Sequence, residues 1–98
     1  MTKVSVFGKH GCAKCATTKN KLSHFLTRWE VDHDVRLVFH DMETVDGRAE
    51  GAFYDVANAI PVTVVEREGR AVARWDGDIP NSEAVREILM VGANAAAD

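Results

Sequence analysis

The chain has 98 residues, 46% of them hydrophobic and 28% charged, and 12 Lys and Arg against 15 Asp and Glu give it a formal net charge of −3. That is one domain with a single modest core and an ordinary globular balance, and its slightly acidic charge gives no reason to expect nucleic acid as a partner. No apolar run nears the roughly 20 residues that span a bilayer, and the opening "MTKVSVFGKHG" lacks the apolar stretch and cleavage site of a signal peptide, so a cytoplasmic monomer without a membrane partner is expected.

Residues 3–8, "KVSVFG", alternate and are rich in Val, the pattern of a strand. After Cys12, residues Leu22, Phe25, Leu26 and Trp29 recur at i, i+3, i+4 and i+7, which predicts an amphipathic helix with Trp29 capping the core at its end. "EVDHD" is a polar connector. "VRLVFHD", 35–41, reads as a second strand apolar enough to be buried on both sides. "METVDG" reads as a loop, and from Arg48 onward Ala49, Ala52, Phe53, Val56 and Ala57 form a second helical stripe.

"NAIPVTVVEREGRAVARWDG" reads as a hairpin: Pro61 opens a strand running through Val65, "EREGR" turns, and "AVARW" returns. Asn81 or Ser82 caps a last helix, with Glu83 in its first turn, an apolar face of Val85, Ile88 and Leu89, and Gly92 as its stop. The tail, 93–98, is small and polar enough to fray. The order is β-α-β-α-β-β-α, an α/β fold in one domain over 1–98. Two right-handed crossovers should give parallel pairing in the first half, followed by an antiparallel hairpin.

Cys12 and Cys15 are the only cysteines, and they fall where the first strand ends and the first helix begins. A helix N-terminus offers unsatisfied N–H donors and about half a positive charge, which stabilises a thiolate. Such a position takes a thiol from about 8.5 to roughly 3.5–7.5. Lys9, His10 and Lys14 add positive charge beside it when protonated. Cys12 at the lip is then the attacking thiol, and Cys15, one turn deeper, resolves the mixed disulfide.

The alternative is a soft-metal-binding or non-enzymatic interaction module using the same pair. A structural zinc site needs four ligands, and no second CxxC or CxxH is present. Thiolates suit Cu(I), but a heavy-metal βαββαβ module wants its hairpin directly after the first helix, whereas here a helical stripe over 48–58 intervenes. No bound metal or cofactor is expected beyond the redox-active disulfide Cys12–Cys15. His10 is an exposed loop residue or a local tuner of the thiolate. His24, His33 and His40 read as surface or half-buried side chains, and Trp75 as core or as a partner-binding lip.

The run Phe7-Gly8-Lys9-His10-Gly11-Cys12-Ala13-Lys14-Cys15 resembles the glutaredoxins, and the second half resembles thioredoxin: Ile60-Pro61 opens a strand, with Gly69 and Gly77 at successive eight-residue steps after the proline. Over residues 3–91 the chain resembles the thioredoxin superfamily, which implies a thioredoxin fold with a central four-stranded mixed sheet flanked by three helices. The resemblance further implies a cis Ile60–Pro61 bond lying against the cysteines. Ile60, Pro61, Trp75 and Gly77 would form the substrate-binding edge, and protein disulfides would be the substrates.

The chain departs from both relatives. Gly11 stands where thioredoxins have Trp, Ala13-Lys14 where they have Gly-Pro, and Val6 where they bury an Asp that helps move the second cysteine's proton. The glutaredoxin Pro after the first Cys is missing, and "DGDIPNSE" after Trp75 has no Gly-Gly for glutathione. A third resemblance is to the small glutaredoxin-like redoxins that feed electrons to ribonucleotide reductase and draw them from thioredoxin reductase. The implied electron donor is therefore a thioredoxin reductase-like enzyme or glutathione.

Overall fold

The computed structural model describes residues 2–31, 33–56 and 59–97, with the backbone course alone from residue 90 on. Its elements are β1 (Thr2–Gly8), α1 (Ala13–Arg28), β2 (Val35–Asp41), α2 (Val45–Phe53), β3 (Val62–Arg67), β4 (Arg70–Asp76) and α3 (Ser82–Ala97). This is the order expected from the periodicities, and the hairpin follows α2 rather than α1. The four strands form one mixed sheet in the order β2-β1-β3-β4. β1 and β2 are parallel, with Val6 opposite Phe39 and Gly8 opposite Asp41. β3 runs antiparallel to β1, with Val6 opposite Thr63 and Phe7 opposite Val62. β4 closes the hairpin, with Trp75 opposite Thr63.

Strand alternation divides the core between the two faces of the sheet. One face packs Val4, Val6, Val35 and Val65 against Leu22 and Leu26 of α1 and Val85 and Leu89 of α3. The other packs Phe7, Val62 and Val64 with Val56, under Met42, Tyr54 and Ile60. Burying each such Val, Leu or Phe side chain is worth about 1.5–3 kcal/mol over leaving it exposed. The hairpin turns on Glu68 and Gly69, both at positive φ (53° and 77°), the backbone a tight two-residue turn requires.

Five expectations are corrected. Only the first crossover joins parallel strands, because β3 enters the sheet antiparallel to β1. β2 is an edge strand with Val35 its one buried residue, so its apolar run covers one side of the sheet rather than filling a doubly buried position.

α2 begins at Val45, inside the segment read as a loop, because Thr44 caps it by accepting the Gly47 N–H at 2.9 Å. Its buried residues are Gly47 and Gly51, while Ala49, Ala52 and Phe53 are exposed. A Cβ on Gly51 would come within 2.6 Å of Met42 Cε, so the helix packs by close backbone approach and not by an apolar stripe. Val56 lies beyond the helix end and is buried; Ala57 is outside the described residues.

α3, capped by Asn81 Oδ1 accepting the Glu83 and Ala84 N–H groups, continues past Gly92 to Ala97. Interior Gly costs a helix only about 1 kcal/mol, and the alanines that follow are strong helix formers. Asp98, the end of the tail expected to fray, lies outside the described residues.

Candidate active site

The site begins where β1 stops. Gly11 takes φ +80°, a left-handed turn that glycine enters without a steric penalty. The chain then enters α1 with Cys12 as its N-cap, in an extended conformation. The Cys12 Sγ accepts the Cys15 N–H at 3.1 Å, so the sulfur occupies the place a capping oxygen usually fills. The first turn of α1 has no acidic residue, and the positive end of the helix therefore acts on Cys12 without an adjacent helical carboxylate to cancel it.

Cys12 and Cys15 form a disulfide with their Cα atoms 5.2 Å apart. Cys12 is half-buried and Cys15 is 1% exposed. One sulfur is open to a macromolecular partner and the other is reached only through the first.

Gly8 makes room for the inner cysteine: a Cβ there would lie 2.8 Å from both Cβ and Sγ of Cys15 and 3.2 Å from Phe39 Cε2. The β1–β3 ladder pairs Phe7 with Val62, and the register continued one step sets buried Pro61 across from Gly8. The Ile60–Pro61 peptide bond is cis. The Pro61 carbonyl accepts the Gly77 N–H at 2.8 Å, and the Gly77 carbonyl accepts from Lys14 Nζ at 3.3 Å. Pro61, Gly77 and the CxxC turn are thus linked by two consecutive hydrogen bonds. Lys21, two turns further along α1, donates to the Pro80 carbonyl at 3.0 Å and holds the same connecting segment.

Other residues singled out in the sequence make contacts of their own. His10 is 86% exposed, and its Nε2 lies 3.5 Å from Asp41 Oδ2 at the end of β2. Lys9 is exposed. Ile60 is half-buried, with its side chain on the cluster of Phe7, Val56, Val62 and Val64. Trp75 is half-buried and packs against the larger core cluster. Trp29 packs there as well, stacked on Phe25. Val6 is fully buried. His24 and His33 are exposed and His40 is half-buried.

The spacing signals missed three residues that shape the site. Gly8 looked like a strand end, although a glycine directly before a CxxC helix is a mark of close approach. Arg74 joins Asp76 in a two-pronged ion pair (2.7 and 3.0 Å) and donates to the Tyr54 and Asp55 carbonyls, pinning the end of α2 at the start of the segment that leads to Pro61. The hydrogen bond to Asp76 holds the Arg74 guanidinium above its ordinary value and the Asp76 carboxyl below its own. The third, Thr63, is fully buried among valines.

Among the described residues no group of three or more His, Cys, Asp or Glu stands close enough to hold a metal ion, and no helix is long and apolar enough to cross a membrane.

No protein-family model matches the chain, and no curated protein matches it in sequence. Solved structures match it closely in shape. The thioredoxin of Fasciola hepatica is 21% identical, with 91% of this chain and 78% of that one covered, at a TM-score of 0.68. Oxidised thioredoxin O2 of Arabidopsis thaliana is 14% identical over 92% and 73%, with a TM-score of 0.73. Thioredoxin 1 of the thermophilic eubacterium Thermosipho africanus is 14% identical over 96% and 98%, with a TM-score of 0.68. Sheet order, helix placement and these likenesses agree, and the chain has the thioredoxin fold, with a Cys12–Cys15 disulfide at the start of its first helix.

Proposed function

We propose that the protein is a thiol–disulfide oxidoreductase that reduces protein disulfides. The observation that carries this reading is the unequal placement of the two sulfurs: Cys12 caps α1 and is half-buried, while Cys15 is sealed beneath it. In the reduced form the Cys12 thiolate, stabilised by the helix terminus, attacks one sulfur of the substrate disulfide. The substrate S–S bond breaks, and its other sulfur leaves with the electron pair and takes a proton. Cys15 then attacks Cys12 Sγ as a thiolate, the mixed disulfide breaks, and the second substrate thiol is released. The substrate gains two electrons and two protons, and the protein is left as the disulfide.

A two-electron donor restores the dithiol: a thioredoxin reductase-like enzyme or glutathione. Backbone at Ile60 and Pro61, tied through Gly77 to Lys14, serves as the edge along which an extended substrate segment pairs. The protein works as a cytoplasmic monomer, and the Cys12–Cys15 disulfide is its redox group.

The test is trapping. Cys15→Ser should accumulate mixed disulfides with an oxidised protein substrate such as insulin, whereas Cys12→Ser should neither trap nor reduce. Trapping seen only with Cys12→Ser reverses the assignment of roles. A wild-type dithiol that leaves insulin intact while binding Cu(I) stoichiometrically favours the metal-carrier alternative. Supplying NADPH with thioredoxin reductase, or with glutathione and glutathione reductase, identifies the donor.

A further inference from the structure

The resolving step places a demand on the interior, and this inference rests on the dithiol reading above. Cys15 is 1% exposed, and burial in apolar surroundings disfavours a thiolate. Yet Cys15 must be a thiolate to attack Cys12. Val6, one pleat before Gly8 on β1, is apolar and fully buried. Among the described residues the buried polar side chains are Ser5, Thr18 and Thr63, and none is acidic.

The three hydroxyls are not equivalent. Thr18 donates to the Lys14 carbonyl at 2.8 Å. Among the described residues, Ser5 and Thr63 find no hydrogen-bond partner. Ser5 lies between Val4 and Val6, which face α1 and α3, so its side chain points to the opposite face with Phe7. Thr63 lies between Val62 and Val64, which face the α2 side, so it shares the α1 face with Val65. It is therefore the buried, unpartnered hydroxyl on the face that carries Cys15.

The ladder places it further. Thr63 is opposite Val6 on one side and Trp75 on the other. Cys15 sits directly over Gly8, one pleat along from Val6 on the same face. Thr63 is thus the diagonal neighbour of Gly8, a spacing of about 7–8 Å between backbones, on the same face of the sheet as the Cys15 side chain. Charged groups at this end of the sheet are Lys9 and His10 after β1, Lys14 and Lys19 from α1, Asp41 at the end of β2, Asp76 at the end of β4, Asp78 after it, and Glu83 of α3. All are exposed or half-exposed.

We propose that Thr63 is the positioning residue for the resolving thiol: once the Cys12–Cys15 bond opens, its O–H donates a hydrogen bond to the Cys15 sulfur and holds the thiolate for attack on Cys12. Thr63 keeps its proton throughout. The Cys15 proton leaves to the substrate thiolate freed in the first step. The Cys15 electron pair forms the new S–S bond as the Cys12–substrate bond breaks. In the disulfide state there is no sulfur charge to accept this bond, which accounts for an orphaned hydroxyl in the oxidised molecule.

The experiment uses the full-length dithiol and Ellman's reagent. The first thionitrobenzoate reports attack by Cys12, and the second reports resolution by Cys15. Thr63→Val keeps the shape and removes the hydroxyl. It should leave the first release unchanged, slow the second about tenfold at pH 7, and raise the midpoint of its pH profile by about one unit, in keeping with loss of one charge-assisted hydrogen bond. Thr63→Ser should restore both. The melting temperature of the valine variant should rise or hold in the oxidised form and fall only in the reduced form, at a pH high enough to make Cys15 a thiolate.

An unchanged second release and midpoint in Thr63→Val, or equal melting shifts in both redox states, overturns the proposal. If Thr63→Val does not fold, Thr63→Ser against Thr63→Ala gives the same comparison. A wild-type protein that releases no second equivalent rejects the dithiol reading itself, whatever the variants do.

Discussion

Gly8 lies beneath Cys15 so closely that a single added methyl group would sit 2.8 Å from its Sγ and its Cβ. Neither atom can swing away, because Cys15 is fixed in a helix and tied to Cys12 by the disulfide. Gly8→Ala should therefore push the start of α1 off the sheet. The expected cost is about 1–3 kcal/mol, the range for overpacking a filled core, seen as a lower urea midpoint. Insulin reduction should slow as well, since the displaced turn carries Cys12. A variant with unchanged midpoint and unchanged rate would show that the turn has slack that the packing does not reveal.

Much of this arrangement was legible in the sequence, for identifiable reasons. The Val alternation of 3–8 and the i, i+3, i+4 pattern of Leu22, Phe25 and Leu26 are period signals, and they located the junction that holds the cysteines. Periodicity weighs side chains, however, and so it is blind to elements that pack through glycine. α2 buries Gly47 and Gly51, and an apolar reading slid the helix toward Phe53, which is 80% exposed. The apolar run of β2 suggested a central strand, because composition alone does not say how many neighbours a strand has. Thr63 gave no signal at all: one hydroxyl in "VTVVE" gains meaning only from the register that sets it against Val6.

Lys14 stands between the two cysteines yet sends its ammonium to the Gly77 carbonyl. The bond is exposed, so its contribution to stability is small, of order 0–1 kcal/mol as for exposed ion pairs. Its larger effect is on position and field. The Cys12 thiol should ionise below the usual thiol range, as at other helix N-termini, read from the pH dependence of alkylation by iodoacetamide. Lys14→Gln should raise the midpoint slightly and Lys14→Glu more, because a negative charge then faces the thiolate. A wild-type midpoint above about 8.5 would reject helix-terminus activation.

Tyr54 is the single tyrosine, so its titration can be followed alone. Its phenol O–H donates to Glu66 Oε1 at 2.6 Å. That bond first, then burial and the nearby carboxylates of Glu66 and Glu50, push its pKa up to about 12. Absorbance at 295 nm should therefore rise with a midpoint near 12 and not near 10. A folded value above the unfolded one means that this group's stabilisation is complete below pH 10 and fades as pH climbs toward 12. Glu66→Gln should bring the midpoint down. A wild-type midpoint near 10 in the folded protein would show that the bond does not persist in solution.

His40 predicts the opposite end of the pH range. Its ring stacks on Phe7, with centroids 4.6 Å apart and planes at 14°, and its Nε2 is buried without a partner among the described residues. Burial holds its pKa below 6.5; Lys3 adds to the lowering, while Glu50 and Glu66 oppose it. In the unfolded chain the same ring protonates near 6.5, so below that pH the unfolded state binds the extra proton first. Stability should then fall as the pH drops from about 7 through 6.5 and level off below the folded value. His40→Phe keeps the stack on Phe7 and removes the titration. Urea unfolding at steps from pH 7 to pH 5 should show a declining midpoint in the wild type and a flatter line in the variant. Parallel lines would assign the decline to other groups and leave His40 as a stacking residue only.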